Sequence, residues 1–226
     1  MIIQIGFNKC ATTALFQLFR DSGYAPLHSN GRYWRQRNHP QLDGVMVQEQ
    51  IASNIEKGRK PFAGFEAFDA FFDMELSSAD QRIANYRHFA VMAETYPDAL
   101  FILNTRDPED WLRSRARHHD GLYLSEAQAF YGLSADDVIR KWAEDFRAHN
   151  AAVLSYFQSS SDRLCHFNTD VDPISKVVDF VATVRPIDPR FWTVARVTDT
   201  KAADRGWADT NRDLDIAAIL QGEKAA

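Results

Sequence analysis

The sequence predicts an α/β fold, a parallel sheet flanked by helices, built as a single domain over residues 1–226. Three observations carry this expectation. Short apolar runs alternate with amphipathic helical runs along the chain, the order that a parallel sheet covered on both faces requires. The first apolar run, with Ile2, Ile3 and Ile5, passes through a short turn at Gly6 straight into a helical run. The run at 99–103 is short and wholly apolar, as a strand buried on both faces is.

The elements follow in order. A strand is expected at 2–6 and a helix at 12–22, stopped at Gly23. An extended piece at 24–28 leads into an irregular stretch at 29–43. A helical run at 45–56 ends near Gly58, and residues 61–68 read as a second core strand. Residues 79–96 read as one amphipathic helix, with Ile83, Tyr86, Phe89 (or Ala90) and Ala93 at helical spacing. Strand 99–103 is followed by helix 108–118, with Asp107 as N-cap, Pro108 in the first turn and Glu109 and Asp110 at the positive end. Residues 135–157 form a long helix, and strand 163–167 precedes helix 173–183. The tail after Arg185 is Pro-rich, then polar, with a short helix at 213–221.

Residues 2–15, Ile-Ile-Gln-Ile-Gly-Phe-Asn-Lys-Cys-Ala-Thr-Thr-Ala-Leu, have the strand–loop–helix form of a phosphate cradle. Loop and helix N–H groups converge where the helix dipole favours an anion, and Lys9, Thr12 and Thr13 add a charge and two hydroxyl donors. The nucleotide-hydrolase version of this loop places lysine beside the hydroxyl residue. Here Thr12 stands in that place and Lys9 comes three residues early. A second segment, residues 97–119, carries Arg106 at the end of the apolar strand and Ser114 eight residues later.

Lysine in the loop, a two-residue gap and paired threonines resemble the 5′-phosphosulfate loop of the sulfotransferases that use 3′-phosphoadenosine 5′-phosphosulfate (PAPS). That loop commonly reads Lys-x-Gly-Thr-Thr, and this chain departs from it with Ala11 in place of glycine. If the position needs a positive φ, alanine is strained there by about 1 kcal/mol or more. The phrase Tyr-Pro-Asp-x-x-Phe-Ile-Leu-x-x-Arg-Asp-Pro-x-x-Trp-x-x-Ser in the second segment is also similar to this family, particularly its small soluble bacterial members. The resemblance implies a P-loop-like architecture, sulfuryl transfer to a hydroxyl or amine of a small or carbohydrate acceptor, PAPS as co-substrate, and no metal.

It also implies the site. Asn8, Lys9, Cys10, Ala11, Thr12, Thr13 and Ala14 would hold the 5′-phosphate, with Lys9 at the bridging oxygen of the leaving phosphate. Arg106 and Ser114 would hold the 3′-phosphate. Trp207 and Arg205 faintly match a late cofactor loop of the family. Its general base comes from the end of the second core strand. Here that stretch, residues 62–73, sets Glu66, Asp69 and Asp73 among five phenylalanines. Apolar surroundings raise a carboxylate pKa toward a useful range. Glu66, nearest the expected strand end, and Asp69, one turn later, are the expected bases; Asp73 and His28 are the alternatives.

Composition fits a globular protein of 226 residues, 45% apolar and 12% aromatic. A net charge of −5 offers no general field for nucleic acid or an anionic membrane. Basic clusters stand at Arg106, Arg113, Arg115, Arg117, His118 and His119, and at Arg32, Arg35, Arg37 and His39. Each reads as a solvated face or as local guidance for an anion. Lys9 and the helix start would lower the pKa of Cys10 and make it reactive, against a simpler space-filling role; Cys165 reads as core. The N-terminal strand has no signal-peptide pattern, so a cytoplasmic protein is expected. Two other classes stay open. One is a P-loop small-molecule kinase or nucleotide hydrolase. The other is a non-catalytic nucleotide-binding relative, for which Ala11 is the only hint.

Overall fold

The computed structural model describes residues 1–28, 42, 44–193, 211 and 214–222. Five parallel strands form one sheet in the order β2-β3-β1-β6-β7: β1 Ile2–Gln4, β2 Pro26–His28, β3 Ala70–Phe72, β6 Leu100–Thr105 and β7 Leu164–Asn168. A small antiparallel hairpin, β4 Glu75–Ser77 and β5 Arg82–Ala84, follows β3. The helices are α1 Thr12–Asp21, α2 Val47–Glu56, α3 Phe89–Thr95, α4 Pro108–Ala116, α5 Leu122–Tyr131, α6 Ala135–Tyr156, α7 Ser175–Val181 and α8 Ile216–Gln221.

Successive strand residues face opposite sides of a sheet. Ile3 and Phe101 enter a large core beneath α4 and α6, while Ile2 and Ile102 enter a smaller one beneath α1 and α7. The sheet is therefore covered on both faces, as its apolar strands require. Ile2, Ile3, Phe101 and Ile102 are fully buried. Because every sheet pairing is parallel, the loops after β1, β2, β3, β6 and β7 all emerge at one edge. That edge is where ligands bind in open α/β sheets.

Two sequence expectations fail here. Residues 61–68 are not a strand. Successive turns, with the amides of Ala63, Phe65 and Phe68 each bonded to the carbonyl three residues back, carry Phe62, Phe65 and Phe68 into the core. The strand comes later, at Ala70–Phe72. Residues 79–96 are not one helix either. Arg82–Ala84 pairs with β4, a 3-10 turn fills Asn85–His88, and helix begins only at Phe89. The cluster Arg32, Arg35, Arg37 and His39, and the pair Arg205 and Trp207, lie outside the described residues. Among the described residues no helix is long and apolar enough to cross a membrane.

Candidate active site

The loop after β1 is shaped by what lies beneath it. A Cβ on Gly6 would stand 2.2 Å from the carbonyl oxygen of Asn104, so only glycine fits where β1 turns away from β6. Inward-facing donors then take the loop carbonyls one after another. Gln4 Nε2 donates to Gly6 O at 2.6 Å, Asn104 Nδ2 to Cys10 O at 2.5 Å, and Trp111 Nε1 to Asn8 O at 3.0 Å. With its carbonyls turned in, the loop presents amides outward. Helix α1 starts behind Ala11, whose methyl offers no side-chain cap to the first amides at its positive end. This is the electrostatic form of an anion site.

Two loop residues sit in the left-handed region, Lys9 at φ 64° and Ala11 at φ 61°. Ala11 is the position where the resembling loops carry glycine, and it has the positive φ that glycine serves. Lys9 extends to His118, with Nζ 3.2 Å from Nδ1. Cys10 is fully buried, and burial drives its thiol pKa far up, opposing Arg106 and Arg115, so the expected reactive thiol is corrected to a packing residue. Cys165 is buried likewise, its thiol pushed up to about 11 by burial.

Arg106 and Ser114 stand where the sequence puts them, at the end of β6 and inside α4, and both are half-buried. Asp107 caps α4 by accepting from Asp110 N at 3.0 Å. Arg106 lies between two carboxylates, 3.9 Å from Asp110 and 3.9 Å from Asp170, and its buried Nε has no hydrogen-bond partner. A guanidinium held this loosely, with an unmet donor, can turn to an incoming anion.

The expected bases are not at this edge. Glu66 is exposed, and its carboxylate accepts from Gly64 N, which pulls its pKa down rather than up. Asp69 precedes β3, at the far end of the sheet. It accepts from Ala25 N at 2.8 Å and pairs with Arg185 at 2.5 Å. A strand length, roughly 10 Å, separates that end from the loop. The cause is the displaced strand: with β3 at Ala70–Phe72, the acids that emerge beside the loop are Asp73 and Glu75. Asp73 Oδ2 stands 3.6 Å from His28 Nε2 at the ends of the two neighbouring strands.

Beside the loop lies a cleft of about 310 Å³, whose wall includes Asn8, Asp73, Glu75, His118, His119 and Tyr123. Behind it is a buried network that the sequence did not disclose. Arg115 is paired with both oxygens of Glu75 and donates to Asn8 Oδ1 at 2.8 Å. Tyr123 donates to Glu75 at 2.8 Å and accepts from Asn8 Nδ2 at 3.0 Å. Arg115 is 4% exposed, so it braces the loop and is no solvated face. Its spacing from Trp111, i to i+4, was the available signal. At the rim, His119 and Asp120 hold φ of 52° and 57°. Such strained turns persist only where the surroundings fix them.

A family model described as a sulfotransferase domain matches residues 1–180, which takes in the loop, the cleft and every strand of the sheet. No curated protein matches the chain.

Proposed function

The chain belongs to the sulfotransferase-domain family, whose chemistry is sulfuryl transfer, and from that membership we propose that it moves the sulfuryl group of PAPS to a hydroxyl or amine of a small acceptor held in the cleft. The observation that carries this reading is the outward-facing amide loop with Lys9 in it and Arg106 and Ser114 on the adjacent strand and helix. Bound PAPS would supply the sulfuryl group and a phosphate leaving group. Asn8 to Ala14 with Thr12 and Thr13 hold the 5′-phosphate, and Arg106 and Ser114 hold the 3′-phosphate. Lys9 meets the negative charge that grows on the leaving oxygen. That charge is larger in the transition state than in the ground state, so the contact accelerates the reaction.

Asp73 takes the proton of the acceptor hydroxyl as the oxygen bonds to sulfur, replacing Glu66 and Asp69 in this role. Three features support it: its place at the end of β3, its position on the cleft wall and the nearby imidazole of His28. A φ of 55° fixes its backbone in an orientation that aspartate tolerates better than most residues. The test is sulfuryl transfer from PAPS across a panel of phenols, alcohols and amines. Lys9→Ala should lower kcat by about 10²–10³ with a smaller loss of nucleotide affinity. Asp73→Asn should lower kcat by about 10²–10⁴. Wild-type rates in Asp73→Asn on every accepted substrate would remove Asp73 from the mechanism. Equal loss of rate and affinity in Lys9→Ala would reduce Lys9 to a ground-state ligand.

A further inference from the structure

Three carboxylates line the cleft beside the loop, Asp73, Glu75 and Glu126. Of its carboxylates, Glu75 is closed off by Arg115 and Tyr123, and Asp73 stands 3.6 Å from His28. Glu126, on α5, is half-buried on the same wall, and no cation pairs with it among the described residues. No lysine or arginine lines the cleft among those residues.

A second observation points the same way. Gln48 is 2% exposed and also lines the cleft. Its Nε2 is spent on the carbonyls of Asp73 and Glu75, at 3.1 and 3.4 Å, while its Oε1 has no hydrogen-bond partner. Buried acceptors are nearly always met, so this one calls for a donor. A half-buried carboxylate without a cation and a buried amide oxygen without a donor together describe a ligand rich in N–H groups. The cleft volume, about 310 Å³, is at the small end of ligand pockets.

We propose that the acceptor is a small hydroxyl compound bearing an ammonium group, with the ammonium at Glu126 and a donor at Gln48. This rests on the sulfuryl-transfer reading of the adjacent loop. An anionic acceptor would face Asp73 and Glu126 as like charges. A neutral one would cover Glu126 while leaving it unpaired, which is the costly state for a desolvated charge.

The experiment uses two matched series differing only in the distal group. One is tyramine, 4-ethylphenol and 3-(4-hydroxyphenyl)propionate; the other is 6-aminohexan-1-ol, hexan-1-ol and 6-hydroxyhexanoate. Each is titrated onto the full chain with and without 3′-phosphoadenosine 5′-phosphate, then assayed with PAPS, for wild type and Glu126→Gln. In at least one series the amine should bind about 10-fold or more tighter than the neutral compound, and the carboxylate weakest, as a charge-assisted contact gives. Glu126→Gln should bring amine and neutral compound close to equality without changing nucleotide affinity. Equal binding of amine and neutral compounds, no binding by either series, or an amine preference that survives Glu126→Gln overturns the inference. Nucleotide binding and transfer without an amine preference would sink it and leave sulfuryl transfer standing. A Glu126-dependent amine preference without nucleotide binding or transfer would do the reverse.

Discussion

Ala11 holds φ 61°, ψ 23° at the entry to α1. An L-residue in this region pays roughly 1–2 kcal/mol for the approach of its Cβ to the following carbonyl, and glycine pays none. Ala11→Gly should therefore raise stability by about 1 kcal/mol, seen as a higher midpoint in urea unfolding, despite glycine's greater freedom in the unfolded chain. A lower midpoint would show that the alanine methyl has packing value that outweighs the strain. Arg115 makes a second residue-scale case. Its guanidinium lies among Trp111, Tyr123 and Trp142, 4.8–5.1 Å from their ring centres, and its charge is matched by Glu75. Glu75→Gln strands a buried cation and should cost about 3–5 kcal/mol. A loss below about 1 kcal/mol, measured by denaturant unfolding, would mean that the pair is not buried in solution.

At the scale of elements, α6 is tied to β1 by one histidine. His149, 6% exposed, has Nε2 2.7 Å from Ile5 O, at the root of the loop after β1. Burial lowers its pKa to about 4, outweighing the bond to Ile5. The unfolded chain takes a proton near pH 6.5 and the folded chain only near pH 4, so between these values the unfolded state binds more protons and stability falls as pH falls. The loss reaches about 3 kcal/mol across that window. Unfolding free energies measured from pH 7 to 4 should show this slope, and His149→Gln should remove most of it. An unchanged slope in the variant would assign the pH dependence to other groups. How far each element was legible has a local cause. The loop with α1, β6 with α4, and α6 carry strong signals of their own: a strand–turn–helix pattern, an Asp-Pro cap, and 22 residues of helical periodicity. Strand β3 was hidden because Phe62, Phe65 and Phe68 reach the core from turns and give the segment an apolar density like that of a strand. The misplaced strand put Glu66 nearest the expected strand end, where the structure has Asp73 directly after β3. The span 79–96 misled in a similar way: Tyr86 and Ala93 are buried at helical spacing, yet they belong to different elements.

For the whole molecule, one parallel sheet gathers groups more than 100 residues apart at a single edge: Lys9, His28, Asp73, Arg106 and His118. The half of the site proposed to hold a nucleotide was legible as a cluster because its residues sit in two short contiguous segments. In the cleft, Asp73 was named from the sequence only as an alternative base, and Gln48 and Glu126 were not named. Gln48, Asp73 and the pair His118 and Glu126 come from three separate parts of the chain, and the fold makes them neighbours. The central claim is that this edge recognises a nucleotide through two phosphates, one at the loop and one at Arg106. Titration calorimetry of 3′-phosphoadenosine 5′-phosphate against adenosine 5′-phosphate, without metal and then with Mg²⁺, tests it most directly. The 3′-phosphate should strengthen binding by about 10–100-fold, the range for hydrogen bonds to a charged group, and Arg106→Ala should remove that gain. Equal affinity for the two nucleotides, or binding of ATP that requires Mg²⁺ and exceeds both, would contradict it.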